Sequence, residues 1–151
     1  MRRRLSMKTD PVAFILDTCV MSEMLRRRPA QSVIAWLDRF FADCRLTTPV
    51  YMEMEQGIAL VQDADLRNDY RMRCDRLVDR FSSDQWLLFD RAAAREAAAA
   101  IASGQRAGRP LAAIDAQIVG LAIAMRCAVA TRDADFEDRG VGLVNPWEDE
   151  A

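Results

Sequence analysis

The sequence predicts an α/β domain built on a mostly parallel sheet. Two observations carry this reading. Short, wholly apolar runs of strand length, such as Val12–Leu16 and Ala128–Ala130, read as strands buried on both faces, the habit of parallel sheets. These runs alternate with longer stretches of helical periodicity, the pattern of crossover-connected strands. At 151 residues, with 51% hydrophobic and 29% charged residues, the chain fits one domain with a core of its own.

Taken in order, the strand Val12–Leu16 stops at Asp17-Thr18. A helix follows from Thr18 with Val20, Met21, Met24 and Leu25 apolar. Arg26-Arg27-Arg28-Pro29 ends it, since proline disfavours helix in the residue before it. A second helix starts at Gln31 and carries Val33, Ile34, Leu37, Phe40 and Phe41 at helical spacing. Cys44–Thr47 is a short strand, and Pro49 suits the first turn of the next helix. The helical reading runs from Pro49 to Phe81, broken near Gln62–Asp65. Trp86–Phe89 is a third strand, Arg91–Arg106 an alanine-rich helix, and Ala112–Met125 a mostly apolar helix. Ala128–Ala130 is the fourth strand, and Gly142–Val144 the last, before Asn145-Pro146-Trp147. The basic residues 1–10 read as a flexible extension, leaving 11–151 for the domain. The apolar stretch after them is too short for a signal peptide, and no apolar run approaches the ~18 residues of a membrane span. The expectation is a soluble cytoplasmic protein.

Composition removes several chemistries. There is no histidine, so imidazole acid–base catalysis, histidine-based triads and histidine metal ligation are excluded. Lys8 is the only lysine and precedes the first strand, which leaves no Schiff-base or phosphate-loop lysine. The cysteines Cys19, Cys44, Cys74 and Cys127 form no CxxC pair and read as reduced thiols. A net charge of −2, from 21 basic and 23 acidic residues, excludes a simple polycationic binder of nucleic acid. Catalysis is left to carboxylates, metals, hydroxyls and thiols.

The acids fall where such chemistry would sit. In an open α/β sheet, function gathers beyond the carboxyl ends of the strands. Asp17 ends the first strand, as a helix cap or as a metal-binding or catalytic carboxylate. Asp133 and Asp135 follow the fourth strand, in a solvated loop or in a site. Asp115 opens an otherwise uncharged, mostly apolar helix, where a first-turn acid also gains from the helix dipole. Glu53 borders the apolar stripe of Val50, Met54, Gly57, Ile58 and Val61, whereas Glu55 is expected to face solvent. Brought together, these carboxylates would repel one another unless a divalent cation joined them. Hard oxygen donors select Mg²⁺ or Mn²⁺.

Phe14-Ile15-Leu16-Asp17-Thr18, with Val20, Ser22 and Glu23, resembles the opening of PIN-domain nucleases, most closely VapC-type toxins of toxin–antitoxin pairs. Glu53 with Gly57-Ile58, Gly108-Arg109-Pro110 before Ala113-Ile114-Asp115-Ala116, Ala130-Thr131-Arg132-Asp133 with Asp135-Phe136, and Val144-Asn145-Pro146-Trp147 extend the resemblance from Val12 to Trp147. It implies a three-layer α/β/α fold, usual homodimerisation, and a metal-dependent endoribonuclease blocked by a small antitoxin. Catalysis is then assigned to Asp17, Glu53, Asp115 and Asp133, and Mg²⁺ or Mn²⁺ binding to Asp17, Asp115, Asp133 and Asp135. Thr18, Glu23 and Thr131 support those ligands. In the last loop Asp133 is favoured, with Asp135 as support; a shift of Glu53 to Glu55 stays open. Cys19 stands where the family commonly has Asn, which removes the usual polar side chain there.

Arg26, Arg109 and Arg132 are candidates for RNA phosphate, because arginine pairs bidentately with it; the other reading is a solvated charged face. Met21, Met24, Leu25, Trp36, Phe40 and Phe41 are either core or an exposed groove for an antitoxin helix. A dehalogenase-type phosphatase or a receiver domain would need a usable lysine, and redox chemistry at Cys19 a partner thiol. A non-catalytic PIN-like interaction module and a solitary RNA-processing nuclease are the alternative functions.

Overall fold

The structure is a computed structural model, and it describes residues 13–149. The extension expected over residues 1–10 lies outside these. Five parallel strands form one sheet in the order β3-β2-β1-β4-β5. The strands are β1 (Phe14–Leu16), β2 (Cys44–Thr47), β3 (Trp86–Leu87), β4 (Ala128–Ala130) and β5 (Leu143–Val144). Helices α1 (Thr18–Met24) and α2 (Gln31–Phe40) connect β1 to β2, and α3 (Thr48–Ala59) and α4 (Ala64–Val78) connect β2 to β3. Helices α5 (Arg91–Arg106) and α6 (Ala113–Met125) connect β3 to β4. This is the three-layer α/β/α arrangement, with helices flanking a central parallel sheet.

The strand order reverses direction between β1 and β4, which pair from Phe14↔Ala128 to Leu16↔Ala130. Their carboxyl ends therefore open a crevice at the switch point, where ligands of such sheets bind. Ile15, Leu16, Val129 and Ala130 are fully buried beneath it.

Three strands are shorter than predicted: the first starts at Phe14, with Ala13 outside it. The third keeps only Leu46↔Trp86 and Thr47↔Leu87, because β2 turns into α3 at Thr48 and leaves Leu88 and Phe89 without a ladder partner. The last begins at Leu143, opposite Val129. Helix ends follow their capping groups. The Asp90 side chain accepts from Ala93 N at 2.9 Å, and the Thr47 hydroxyl accepts from Val50 N at 3.3 Å, each satisfying an orphan donor of the first turn.

The apolar residues of α1 and α2 are core rather than an open groove. Met21, Leu25 and Trp36 are buried, and Met24, Phe40 and Phe41 pack against the same cluster. The Phe14 ring of β1 meets Trp36 and Phe40 edge-on, at 5.2 and 5.7 Å between centroids. Helix α2 thus covers the sheet and α1 together, which uses more of its apolar surface than one stripe.

Helices α5 and α6 approach until backbone meets backbone. A Cβ on Gly120 would lie 2.4 Å from the Ala93 carbonyl oxygen and 2.7 Å from Ala97 N. The alanine-rich sequence of α5 is what permits this distance. No helix among the described residues is long and apolar enough to cross a membrane.

Candidate metal-binding active site

Four chain segments bring acids to the crevice. Asp17 follows β1, Glu53 lies in α3, Asp115 stands in the first turn of α6, and Asp133 and Asp135 follow β4. One carboxylate oxygen from each of Asp115, Asp133 and Asp135 lies within 4.8 Å of the other two. Asp17 is the most buried acid of the group, 5% exposed, and its charge is the first among the carboxylates acting on Asp115.

A continuous hydrogen-bond chain links Glu53, Asp17, Asp133 and Asp135, and Asp115 faces it from α6. The Thr18 hydroxyl donates to Glu53 Oε2 at 2.7 Å, and Thr18 N donates to Asp17 Oδ1 at 2.7 Å. The Thr131 hydroxyl donates to Asp17 Oδ2 at 2.7 Å and accepts from Asp133 N at 3.0 Å. Asp133 Oδ1 accepts in turn from Asp135 N at 2.9 Å. Asp17 and Asp133 therefore cap their local turns and belong to the acid cluster at once; the capping and site readings do not compete.

Cys19 keeps a polar contact despite replacing the usual amide. Its thiol donates to Asp17 Oδ2 at 3.1 Å, from the turn directly after that acid. Burial, and then the Asp17 charge, push the thiol up to about 11, so at neutral pH it is a protonated donor. Nothing in residue type announces this contact; only the two-residue spacing in a first helical turn would have suggested it.

Like charge and burial also act on the acids. Burial raises Asp17, against hydrogen bonds from Thr131, Cys19 and Thr18 that lower it. Asp115 is pushed up to about 6, first by burial, then by Asp17, Asp133, Glu53 and Asp135. This is the signature of carboxylates crowded into a partly dry space.

Other candidates sit elsewhere. The Glu23 carboxylate accepts from Ala30 N at 2.8 Å and pairs with Arg26 at 3.3 Å, so it ties the turn between α1 and α2. Glu55 leans onto α4 and pairs with Arg71 instead of facing solvent; Glu53 is the acid linked to the cluster. Arg109 donates to the Glu137 carbonyl at 3.2 Å and lies 3.8 Å from Asp138. The Arg132 guanidinium stacks over the Trp147 ring, 4.3 Å from its centroid, beside Asp133. Sequence reasoning passed over Arg139, which bonds to two carbonyls near the cluster.

The chain and its fold have relatives among known proteins. The family model described as PIN domain matches residues 14–141. This chain belongs to the PIN-domain family. It is 32% identical to toxin FitB of Neisseria gonorrhoeae over 89% of this chain and 99% of that one. It is 31% identical to a VapC ribonuclease of Sinorhizobium fredii, over 89% and 97% of the two chains. A solved FitAB complex bound to a DNA fragment superposes with a TM-score of 0.80 at 32% identity, over 91% of this chain and 98% of that one. A DNA-bound VapBC complex of Rickettsia felis shares the fold, with a TM-score of 0.76 at 15% identity and coverage of 88% and 98%. As a PIN-domain protein with these relatives, the chain is a toxin-type nuclease, a hydrolase.

Proposed function

We propose that this nuclease is a Mg²⁺- or Mn²⁺-dependent endoribonuclease, acting in the cytoplasm as the toxin of a toxin–antitoxin pair. One observation carries the metal reading: Asp115, Asp133 and Asp135 offer oxygens within 4.8 Å of one another, with Asp17 and Glu53 linked to Asp133 and Asp135 through hydrogen bonds. The donor set fits a hard divalent cation, because every candidate ligand is a carboxylate and the nearby thiol is held protonated. Asp115, Asp133 and Asp135 would hold the ion, with Asp17 beside them. Bound there, the ion would supply the Lewis acidity that activates water and offsets charge on a phosphodiester.

The protein's own groups do the rest. Thr18 and Thr131 fix the directions of Glu53 and Asp17, which keeps the carboxylates pre-organised. Glu53, half-buried and held by the Thr18 hydroxyl, would take a proton from an attacking water. Arg132, supported over the Trp147 ring, would offer its charge next to Asp133 to an RNA phosphate.

Inhibition is proposed at a different surface from the α1 and α2 core, a groove of about 330 Å³ lined by Ser22, Arg26, Gly57, Val61 and Tyr70 together with Glu53. A small antitoxin protein would lay an apolar helix there and deliver a basic side chain to the acids. The toxin itself is proposed to be a homodimer, as the family resemblance implies.

The direct test is cleavage of single-stranded RNA with Mn²⁺, then with EDTA. Activity that vanishes in chelator and returns with Mn²⁺ is expected; full turnover in EDTA would refute the proposal. Binding of Mn²⁺ without any cleavage would favour a non-catalytic module.

A further inference from the structure

The three close carboxylates come from two separate segments. Asp115 is delivered by the lead into α6, and Asp133 and Asp135 by the loop after β4. Like charges push these segments apart, so something must hold them at ligand distance before an ion arrives.

We propose that Arg139 is the positioning residue that sets this spacing, and that Gly104 supplies the gap it needs. The inference rests on the metal reading above. Arg139 Nε donates to the Asp135 carbonyl at 2.9 Å, and Nη1 donates to the Arg109 carbonyl at 2.9 Å. One planar guanidinium therefore spans both ligand-bearing segments. Arg109 returns the link by donating to the Glu137 carbonyl at 3.2 Å. From Arg109 the chain runs through the buried Leu111 straight into α6, so the position of Arg109 is passed on to Asp115.

The backbone around Arg139 is shaped for this reach. Asp138 and Gly140, on either side, adopt φ of 58° and 81°, the left-handed region that reverses a chain within a few residues. Across the gap, Arg109 N donates to the Gly104 carbonyl at 2.8 Å. A Cβ on Gly104 would lie 2.6 Å from the Arg109 carbonyl oxygen and 3.0 Å from Arg139 Nη1. Any larger residue there must displace the bridge.

Arginine suits the task for two reasons. Its donors stand in a rigid fork, so two carbonyls are held at a set separation, which a flexible ammonium on a single point does not do. It also bonds to carbonyls and not to the acids, so it adds positive charge near the cluster without occupying the carboxylate oxygens an ion needs.

Calorimetric titration of the metal-free protein with Mn²⁺ tests this, below the melting temperature of each variant. Arg139→Gln and Gly104→Ala are each expected to weaken binding about tenfold, the usual size of a supporting-shell effect on a metal site. Arg139→Lys should weaken it similarly, because charge is kept and the fork is lost. Arg95→Gln, on an exposed turn of α5, should stay within about twofold. Wild-type affinity in Arg139→Gln, with the wild type itself binding, would overturn this inference alone. Full affinity in Arg139→Lys would overturn the role of the fork. If the wild type takes up no Mn²⁺, the metal reading and this inference fall together.

Discussion

Helix α6 belongs to two regions built on opposite rules. Along its length it packs on α5 so tightly that Gly120 leaves no room for a single carbon beside Ala93 and Ala97. At its first turn it carries Asp115 into a crevice where burial and the neighbouring carboxylates raise its own proton affinity. The first region is made of close contacts that ask for nothing further. The second is strained electrostatically and kept together by hydroxyl, thiol and amide donors. Stability and function are thus separated along one helix by little more than one turn, and each should fail in its own way.

The largest expected effect breaks the second region without touching the first. Asp115→Asn should lower RNA cleavage roughly a thousandfold, about 4 kcal/mol of transition-state stabilisation, while the metal-free melting temperature stays level or rises. Paired kinetics and thermal unfolding check this; a clear fall in melting temperature would make Asp115 a structural cap instead. The reverse break is Gly120→Ala. The added carbon meets backbone, which cannot swing aside, so urea unfolding should show a loss of about 1–3 kcal/mol. Mn²⁺ affinity of the folded fraction should change little.

A smaller effect sharpens the contrast through pH. Burial and neighbouring acids carry Asp115 from 3.8 to about 6 in the folded chain. The folded state then favours the protonated form. Metal-free stability is greatest below the unfolded value and falls as pH rises through about 6, by ~1 kcal/mol after screening at this half-exposed group. Melting curves between pH 4 and 7 should show this slope, and Asp115→Asn should flatten it. An unchanged slope in that variant would assign the dependence to other groups.

Much of this was visible in the order of residues. Apolar runs bounded by acids marked β1 and β4, and those acids, with Glu53 and Asp115, are the ones the sheet gathers at its switch point. The unusual isolation of Asp115 in an apolar helix was the clearest single sign. What stayed hidden depended on partners distant in sequence. Glu55 looked like a surface acid because its partner Arg71 lies on another helix. The apolar residues of α1 and α2 looked excessive because periodicity shows one stripe, whereas α2 is covered by both the sheet and α1. Arg109 looked free because its acceptor is the backbone carbonyl of Glu137, and carbonyls leave no trace in residue type.

The edges of the sheet have a bearing on how copies of this chain can meet. Both outer strands, Trp86–Leu87 and Leu143–Val144, are only two residues long. A ladder that short offers almost nothing for a foreign strand to extend, so templated growth and fibril-like stacking through the sheet are discouraged. Any association between copies is then left to the helical faces, and an uncontrolled route out of solution through the sheet is closed.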